Sequence, residues 1–203
     1  MSDLGKLAGR TLEIYERNAA RYDRERGRSL FEKGWLDRFA AMVPAGGRIL
    51  DVGCGTGAPI GDYLAGSGHP VTGVDGAAAM IALARDRRPE RDWQLGDMRA
   101  LEMGERFDGV LAWDSFFHLT GDEQREVLPR LLRHVRPGGP LMLTVGPAAG
   151  EVTGHVADDV VYHASLSPEE YRRIIEACGA EVAAFAVEDP ACDGHTVLLA
   201  RAG

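Results

Sequence analysis

The chain has 203 residues, 45% of them hydrophobic and 27% charged, a composition that fits one globular domain with a sizeable core. Lys and Arg number 23 against 31 Asp and Glu, a formal charge of −8 that argues against nucleic acid or anionic membranes as partners and favours a small molecule. Cys54, Cys178 and Cys192 form no CxxC pair, and the stretch "MSDLGKLAGRTLEIYERNAARYDRER" has no apolar signal-peptide core, so a cytoplasmic protein with reduced thiols and no anchor is expected.

Two helices are predicted to open the chain. Leu12, Tyr15, Ala19 and Tyr22 recur at helical spacing in the first. The second is predicted to begin at "SLFE", where Ser29 and Glu32 have capping-box spacing, and to carry Phe31, Trp35, Phe39 and Met42 on one face. From residue 48, short apolar runs alternate with helical stretches. "RILDV" leads to a helix near Pro59, "VTGVD" to "AAAMIALARDR", "DWQLGD" to a short link, and "FDGVLAW" to a helix near Thr120 and Glu123. Pro129 inside that last helix predicts a kink or break. After "RPGGPLMLTVG", residues 146–166 show weak periodicity and read as a loop. "SPEEYRRIIEACG" is a helix capped by Ser167, with Pro168 in its first turn, Glu170 reciprocating and Gly179 as its stop. "EVAAFAVED" and "HTVLLARA" close the chain as an antiparallel pair.

This alternation predicts an α/β fold: a Rossmann-like, seven-stranded, mostly parallel sheet with helices on both faces and an antiparallel C-terminal hairpin. Residues 1–43 would form an N-terminal helical lid and 44–203 the core of a single domain.

The stretch "RILDVGCGTGAP" (48–59) places Asp51, Gly53, Gly55 and Gly57 at the end of the first strand, where ligands settle in open parallel sheets. "GCGTGA" also satisfies the dinucleotide pattern GxGxxG/A, so the glycines alone leave a nicotinamide-dependent oxidoreductase open. Asp51 opposes that reading, since a carboxylate there would repel a pyrophosphate and accept hydrogen bonds from an ammonium. Asp75 ends the second strand, placed to hold ribose hydroxyls or to cap the next helix. Asp97 ends the third, placed to accept from an adenine amine while Met98 packs on the ring.

Ammonium, ribose and adenine are three parts of S-adenosylmethionine. In "ILDVGCGTG", "VTGVD", "LGDM", "FDGVLAWDSFFHL" and "RPGGPLML", taken in order, the chain resembles the class I S-adenosylmethionine-dependent methyltransferases, in particular the small-molecule enzymes of the methyltransferase 11/25-like group. The resemblance implies methyl transfer to a small-molecule acceptor with release of S-adenosylhomocysteine. It implies that Gly53, Gly55 and Gly57 hold the methionine moiety, Asp75 the ribose and Asp97 the adenine. Gly76 stands where the family often has serine, and Tyr22 and Trp113 are expected beside the cofactor. A different class of answer is a non-catalytic, S-adenosylmethionine-binding regulatory protein, against which the intact run "AWDSFFHL" argues.

On the acceptor side, His118 is the candidate general base, with a structural hydrogen-bonding role as the alternative. Tyr15, Asp114, Phe117, His155, His163 and His195 are candidate acceptor-pocket residues, although Tyr15 and Phe117 equally suit core packing. Arg26 and Arg28 belong to a solvated face or recruit an anionic acceptor. No metal is expected, and a monomer or homodimer fits the composition.

Overall fold

The computed structural model describes residues 3–203. Its main sheet has the order β3-β2-β1-β4-β5-β9-β8, built from β1 (Ile49–Val52), β2 (Val71–Asp75), β3 (Asp92–Leu95), β4 (Gly109–Ala112), β5 (Pro140–Val145), β8 (Glu181–Asp189) and β9 (His195–Arg201). β1 to β5 are parallel, and β9 inserts antiparallel between β5 and β8. Every residue of β1, β4 and β5 is buried, which is why these strands read as continuous apolar runs rather than alternating ones. Successive side chains still serve opposite faces: Val110 and Ala112 of β4 join one hydrophobic core, Leu111 the other.

The first core packs under α6 (Gly121–Arg133) and α7 (Pro168–Ala177), through Leu128, Leu131, Tyr171 and Ile175. The second packs under α3 (Lys33–Ala40) and α4 (Ile60–Gly66), through Leu36, Phe39 and Leu64. Strand order reverses between β1 and β4, and the crevice beyond their carboxyl ends is where such sheets bind ligands. No helix among the described residues is long and apolar enough to cross a membrane.

Four local expectations are corrected. A short helix, α1 (Asp3–Ala8), precedes α2 (Thr11–Glu25). Ser29 does not cap α3, which begins at Lys33; Leu30 takes a left-handed φ of 50° and turns the chain, and Glu32 is buried against Arg26 at 2.8 Å. Pro129 does not interrupt α6, because Val127, Leu128, Leu131 and Leu132 anchor the helix to the core on both sides of it. Residues 146–166 are mostly a hairpin of β6 (Gly150–Val156) and β7 (Asp159–Ser165). Most of β6 faces solvent, so its side chains carry no alternation; backbone pairing to β7 supplies the order.

That hairpin packs against α2, in the segment expected to form a lid. Ile14 packs on Val156 and Val161, while Arg17 and Asn18 bond Asp159 at 2.6 Å and Arg21 reaches Asp158 at 2.5 Å. Asp23 fixes the other end of α2, bonding Arg87 of α5 (Ala78–Arg87) at 2.7 Å and Thr56 Oγ1 at 2.7 Å. Despite the upward push of desolvation, the hydrogen bonds from Arg87, Thr56 and Arg28 hold the Asp23 carboxyl down at about 2.

The capping box of Thr120 and Glu123 forms as expected, whereas Ser167 caps α7 but Glu170 turns to Arg125 at 2.6 Å. Gly73 in β2 is required by packing: a Cβ there would lie 2.4 Å from the Trp93 ring and 2.8 Å from Cys54 Sγ. Gly73→Ala is therefore expected to lower the unfolding free energy by about 1–3 kcal/mol. A urea titration checks this, and an unchanged midpoint would mean that Trp93 is not seated on that glycine.

Candidate active site

The glycine loop is shaped by backbone bonds before any ligand enters. Gly53 and Cys54 N–H groups both donate to Val74 O, at 2.7 and 3.1 Å, tying the end of β1 to β2. Ser115 Oγ donates to Val52 O at 2.8 Å and draws the segment after β4 onto the loop. Gly53 has φ 75°, and a Cβ on it would lie 2.2 Å from Ser115 Cβ, so only glycine fits. The Asp75 carboxylate accepts from Gly55 N and Ala77 N, both at 2.8 Å, and so joins the loop to the start of α5. Asp75 thus braces the loop against Ala77, the N-cap residue of α5, a use that the sequence did not suggest for it.

Two cavities meet at this crevice. The inner one is walled by Asp51, Gly53, Gly55, Asp75, Asp97 and Met98, with Gly76, Trp113 and Tyr22 also on its wall. Of the residues expected beside a cofactor, Gly57 alone is off that wall. A Cβ there would lie 2.4 Å from the Trp93 ring, so this glycine serves packing behind the loop. The outer cavity, more open to solvent, gathers Tyr15, Asp114, Phe117, His155, His163 and His195. Tyr15, Tyr22, Arg26 and Asp114 line both cavities and mark their junction.

Charge in the inner cavity is mostly negative and buried. Burial, together with the neighbouring Asp75, pushes the Asp51 carboxyl up to about 7. Burial also raises Asp75, against the lowering effect of the Ala77 and Gly55 N–H groups. Asp97 is held by Arg99, whose backbone N and Nη1 each lie 2.9 Å from it.

His118 is buried, with Nδ1 2.9 Å from Tyr162 O and Nε2 2.9 Å from the Tyr15 hydroxyl. A carbonyl can only accept, so Nδ1 carries the proton and Nε2 accepts from the phenol. Burial pushes the imidazole down to about 4 and raises the Tyr15 phenol, so both are neutral near pH 7. With both ring nitrogens engaged, His118 has no lone pair turned toward an acceptor. The geometry matches its hydrogen-bonding alternative and makes it the group that orients Tyr15.

Arg26 lines both cavities and bonds the buried Glu32; the sequence offered it, with Arg28, as part of a solvated face or as a group recruiting an anionic acceptor. Leu12 and Ser115 also line the inner cavity and were not singled out, because a lone leucine and a serine carry no pattern of their own. Among the described residues, no group of three or more His, Cys, Asp or Glu side chains is arranged to hold a metal ion.

A family profile described as "Methyltransferase domain" matches residues 49–139, from β1 to the turn before β5. The chain is 37% identical over 110 residues to a dTDP-3-amino-3,6-dideoxy-alpha-D-glucopyranose N,N-dimethyltransferase of Streptomyces fradiae, covering 51% of this chain and 43% of that protein. It is 31% identical over 163 residues to the 27-O-demethylrifamycin SV methyltransferase of Amycolatopsis mediterranei, covering 71% and 58%. Its fold matches the S-adenosylmethionine-bound structure of an amino pentose methyltransferase from Micromonospora echinaspora, with TM-score 0.71, 26% identity, and 92% and 96% of the two chains covered. Residues 49–139 match the methyltransferase-domain family, and the fold around them is the one shared by class I S-adenosylmethionine-dependent methyltransferases.

The part of the chain matched by the family profile carries the glycine loop and the acids of β2 and β3. The matches span about half the length, or less, of the first curated relatives. His118 gives a direct test of the buried junction. Its folded value of about 4 lies below the ordinary 6.5, so stability is lost as pH falls from 6.5 through 4, by up to about 3 kcal/mol. His118→Gln is expected to remove that slope, so that wild type and variant converge on acidification in urea titrations. Parallel pH profiles would show that His118 is not a buried neutral ring.

Proposed function

We propose that the protein transfers the methyl group of S-adenosylmethionine to a small-molecule nucleophile in the outer cavity and releases S-adenosylhomocysteine. The observation that carries this reading is the junction: an inner cavity walled by buried carboxylates opens, at Tyr15, Tyr22, Arg26 and Asp114, onto a separate outer cavity. When bound, S-adenosylmethionine supplies an electrophilic methyl carbon on a sulfonium, whose leaving group departs neutral and needs no acid.

The residues present suit that molecule. Asp51 is a buried carboxylate without a basic partner bonded to it, as an ammonium-binding group requires, and Arg26 is a cation on the same wall for the methionine carboxylate. Asp75 would take the ribose hydroxyls, and Asp97 with Met98 the adenine. The same carboxylates oppose a dinucleotide pyrophosphate, which disfavours the oxidoreductase reading. The outer cavity disfavours a purely regulatory role, since a cofactor sensor has no use for a second pocket at the reacting carbon. Tyr15, held by His118, and the rings of Phe117 and His163, 4.6 Å apart, would orient the acceptor. We further infer a cytoplasmic protein, acting on a small molecule rather than nucleic acid, as a monomer or homodimer. The named substrates of the Streptomyces and Micromonospora relatives make amino-sugar nucleotides the first acceptors to screen by S-adenosylhomocysteine release.

Asp51 links cofactor binding to pH. A cationic ligand favours the carboxylate, so binding draws the Asp51 value down from about 7 and releases a proton near neutrality. Affinity for S-adenosylmethionine is expected to rise from pH 6 to pH 8, and calorimetric heats to differ between buffers of different ionisation enthalpy. Asp51→Asn should flatten both trends, and Asp75→Ala should weaken binding by about 10- to 100-fold. No binding of either sulfur compound by the wild type would overturn the proposal.

A further inference from the structure

We propose that Asp114 is the carboxylate that receives the methyl acceptor, an amine entering as its ammonium, and that His195 is the positioning residue that holds Asp114 until the amine arrives. The inference rests on the methyl-transfer reading above and adds the acceptor class and the residue that selects it.

The backbone comes first. Asp114 follows β4 with φ 49°, a left-handed conformation that Asp and Asn tolerate better than most residues, and its N–H donates to Thr144 Oγ1 at 2.8 Å. Strain of this kind collects at functional positions. It sets the carboxylate at the wall shared by the two cavities.

His195 then takes one of the two oxygens. Its Nδ1 lies 3.0 Å from Cys192 O and its Nε2 lies 3.0 Å from Asp114 Oδ1. Both partners are acceptors when Asp114 is ionised, so both ring nitrogens donate and the ring is an imidazolium. The Asp114 hydrogen bond raises the His195 value accordingly. The ring is flanked by Trp113, stacked at 5.7 Å, and by Phe31 at 5.0 Å. Oδ2 of Asp114 is left for the acceptor.

Of the other charged and titratable groups on the two walls, Arg26 bonds Glu32 at 2.8 Å and is assigned above to the cofactor's carboxylate, Glu25 bonds Arg21 at 2.7 Å, and His118 bonds Tyr162 and Tyr15. Burial raises both Tyr15 and Tyr22 and lowers His163, so all three are neutral near pH 7. Asp193 and Cys192 lie on the far side of His195, in the turn before β9.

Base strength decides the acceptor class. An alkylammonium, at about 10.4, gives up a proton to any carboxylate about 5 powers of ten more readily than a hydroxyl as weakly acidic as water, at about 15.7. The amine is therefore the acceptor that a carboxylate can serve. An N–H proton of the ammonium passes to Asp114 Oδ2, and the freed electron pair forms the bond to the methyl carbon. The carbon–sulfur bond breaks with its pair going to sulfur, the methylated nitrogen carries the positive charge that sulfur gives up, and Asp114 returns its proton to solvent.

The test uses the protein saturated with S-adenosylhomocysteine, labelled with ¹⁵N in its histidines, and ¹³C-methylammonium chloride as probe against sodium chloride at equal ionic strength. Ammonium and imidazolium compete for one carboxylate, so methylammonium should shift the His195 ring signals saturably and lower their titration midpoint. Asp114→Asn suits the same backbone and should abolish both responses. His195→Gln keeps a hydrogen bond without the charge and should bind methylammonium several-fold more tightly, read from the probe's line width. No response in wild type, a response that persists in Asp114→Asn, or weaker binding by His195→Gln would overturn the inference. Calorimetry with S-adenosylhomocysteine separates the two levels. Failure of the wild type to bind it overturns the methyl-transfer reading, whereas intact binding without a methylammonium response overturns only the assignment to Asp114.

Discussion

Asp51 and Asp75 stand at the ends of adjacent strands, Asp51 buried and Asp75 half-buried, and neither is bonded to a basic side chain among the described residues. Burying negative charge without a partner is costly, and a protein that retains it must hold the site in shape by other means. Here the means are backbone bonds. Asp75 is satisfied by the N–H groups of Gly55 and Ala77, and the loop it braces is pinned from the other side by Ser115 and Val74. The cost falls on Asp51, whose carboxyl is pushed up to about 7 by burial.

The N-terminal helices and the β6–β7 hairpin are attached by a different kind of force. Their outer ion pairs join exposed groups, Asp158 being 88% exposed, and pairs of this kind contribute about 0–1 kcal/mol each. Their inner contacts are small apolar clusters around Ile14, Ala19 and Tyr162, separate from the two cores that hold the sheet. Contacts of this kind hold an element less firmly than a continuous core holds the sheet. Asp23 ties the C-terminal end of α2 more firmly than Asp158 ties its middle, because its bonds to Arg87 and Thr56 are more sheltered.

The reach of the sequence follows from these same forces. β1, β4 and β5 were legible because full burial on two faces makes them mostly apolar, with Asp51 and Thr144 as exceptions, and the cap at Thr120 because its chemistry is local. The β6–β7 hairpin was not, since an exposed strand paired only to its neighbour needs no pattern. Ser29 had the right spacing for a cap and lost to the tertiary pairing of Glu32 with Arg26. Gly57 was read as part of the ligand wall, yet Trp93, 36 residues further on, decides its use. No local reading contains that contact.

The divide between the legible and the illegible parts of the site coincides with its architecture. Groups facing the inner cavity stand at the ends of parallel strands, where fold and ligand impose one arrangement, and they lie close together in the sequence. The outer cavity is assembled from α2, the segment after β4, the β6–β7 hairpin and the start of β9, whose residues are separated by up to 180 positions, from Tyr15 to His195. Nothing about the sheet dictates what those segments carry, so no strand pattern in the sequence announces them. A left-handed Asp114 and a histidine on the last strand, meeting at 3.0 Å, are brought together by tertiary structure alone.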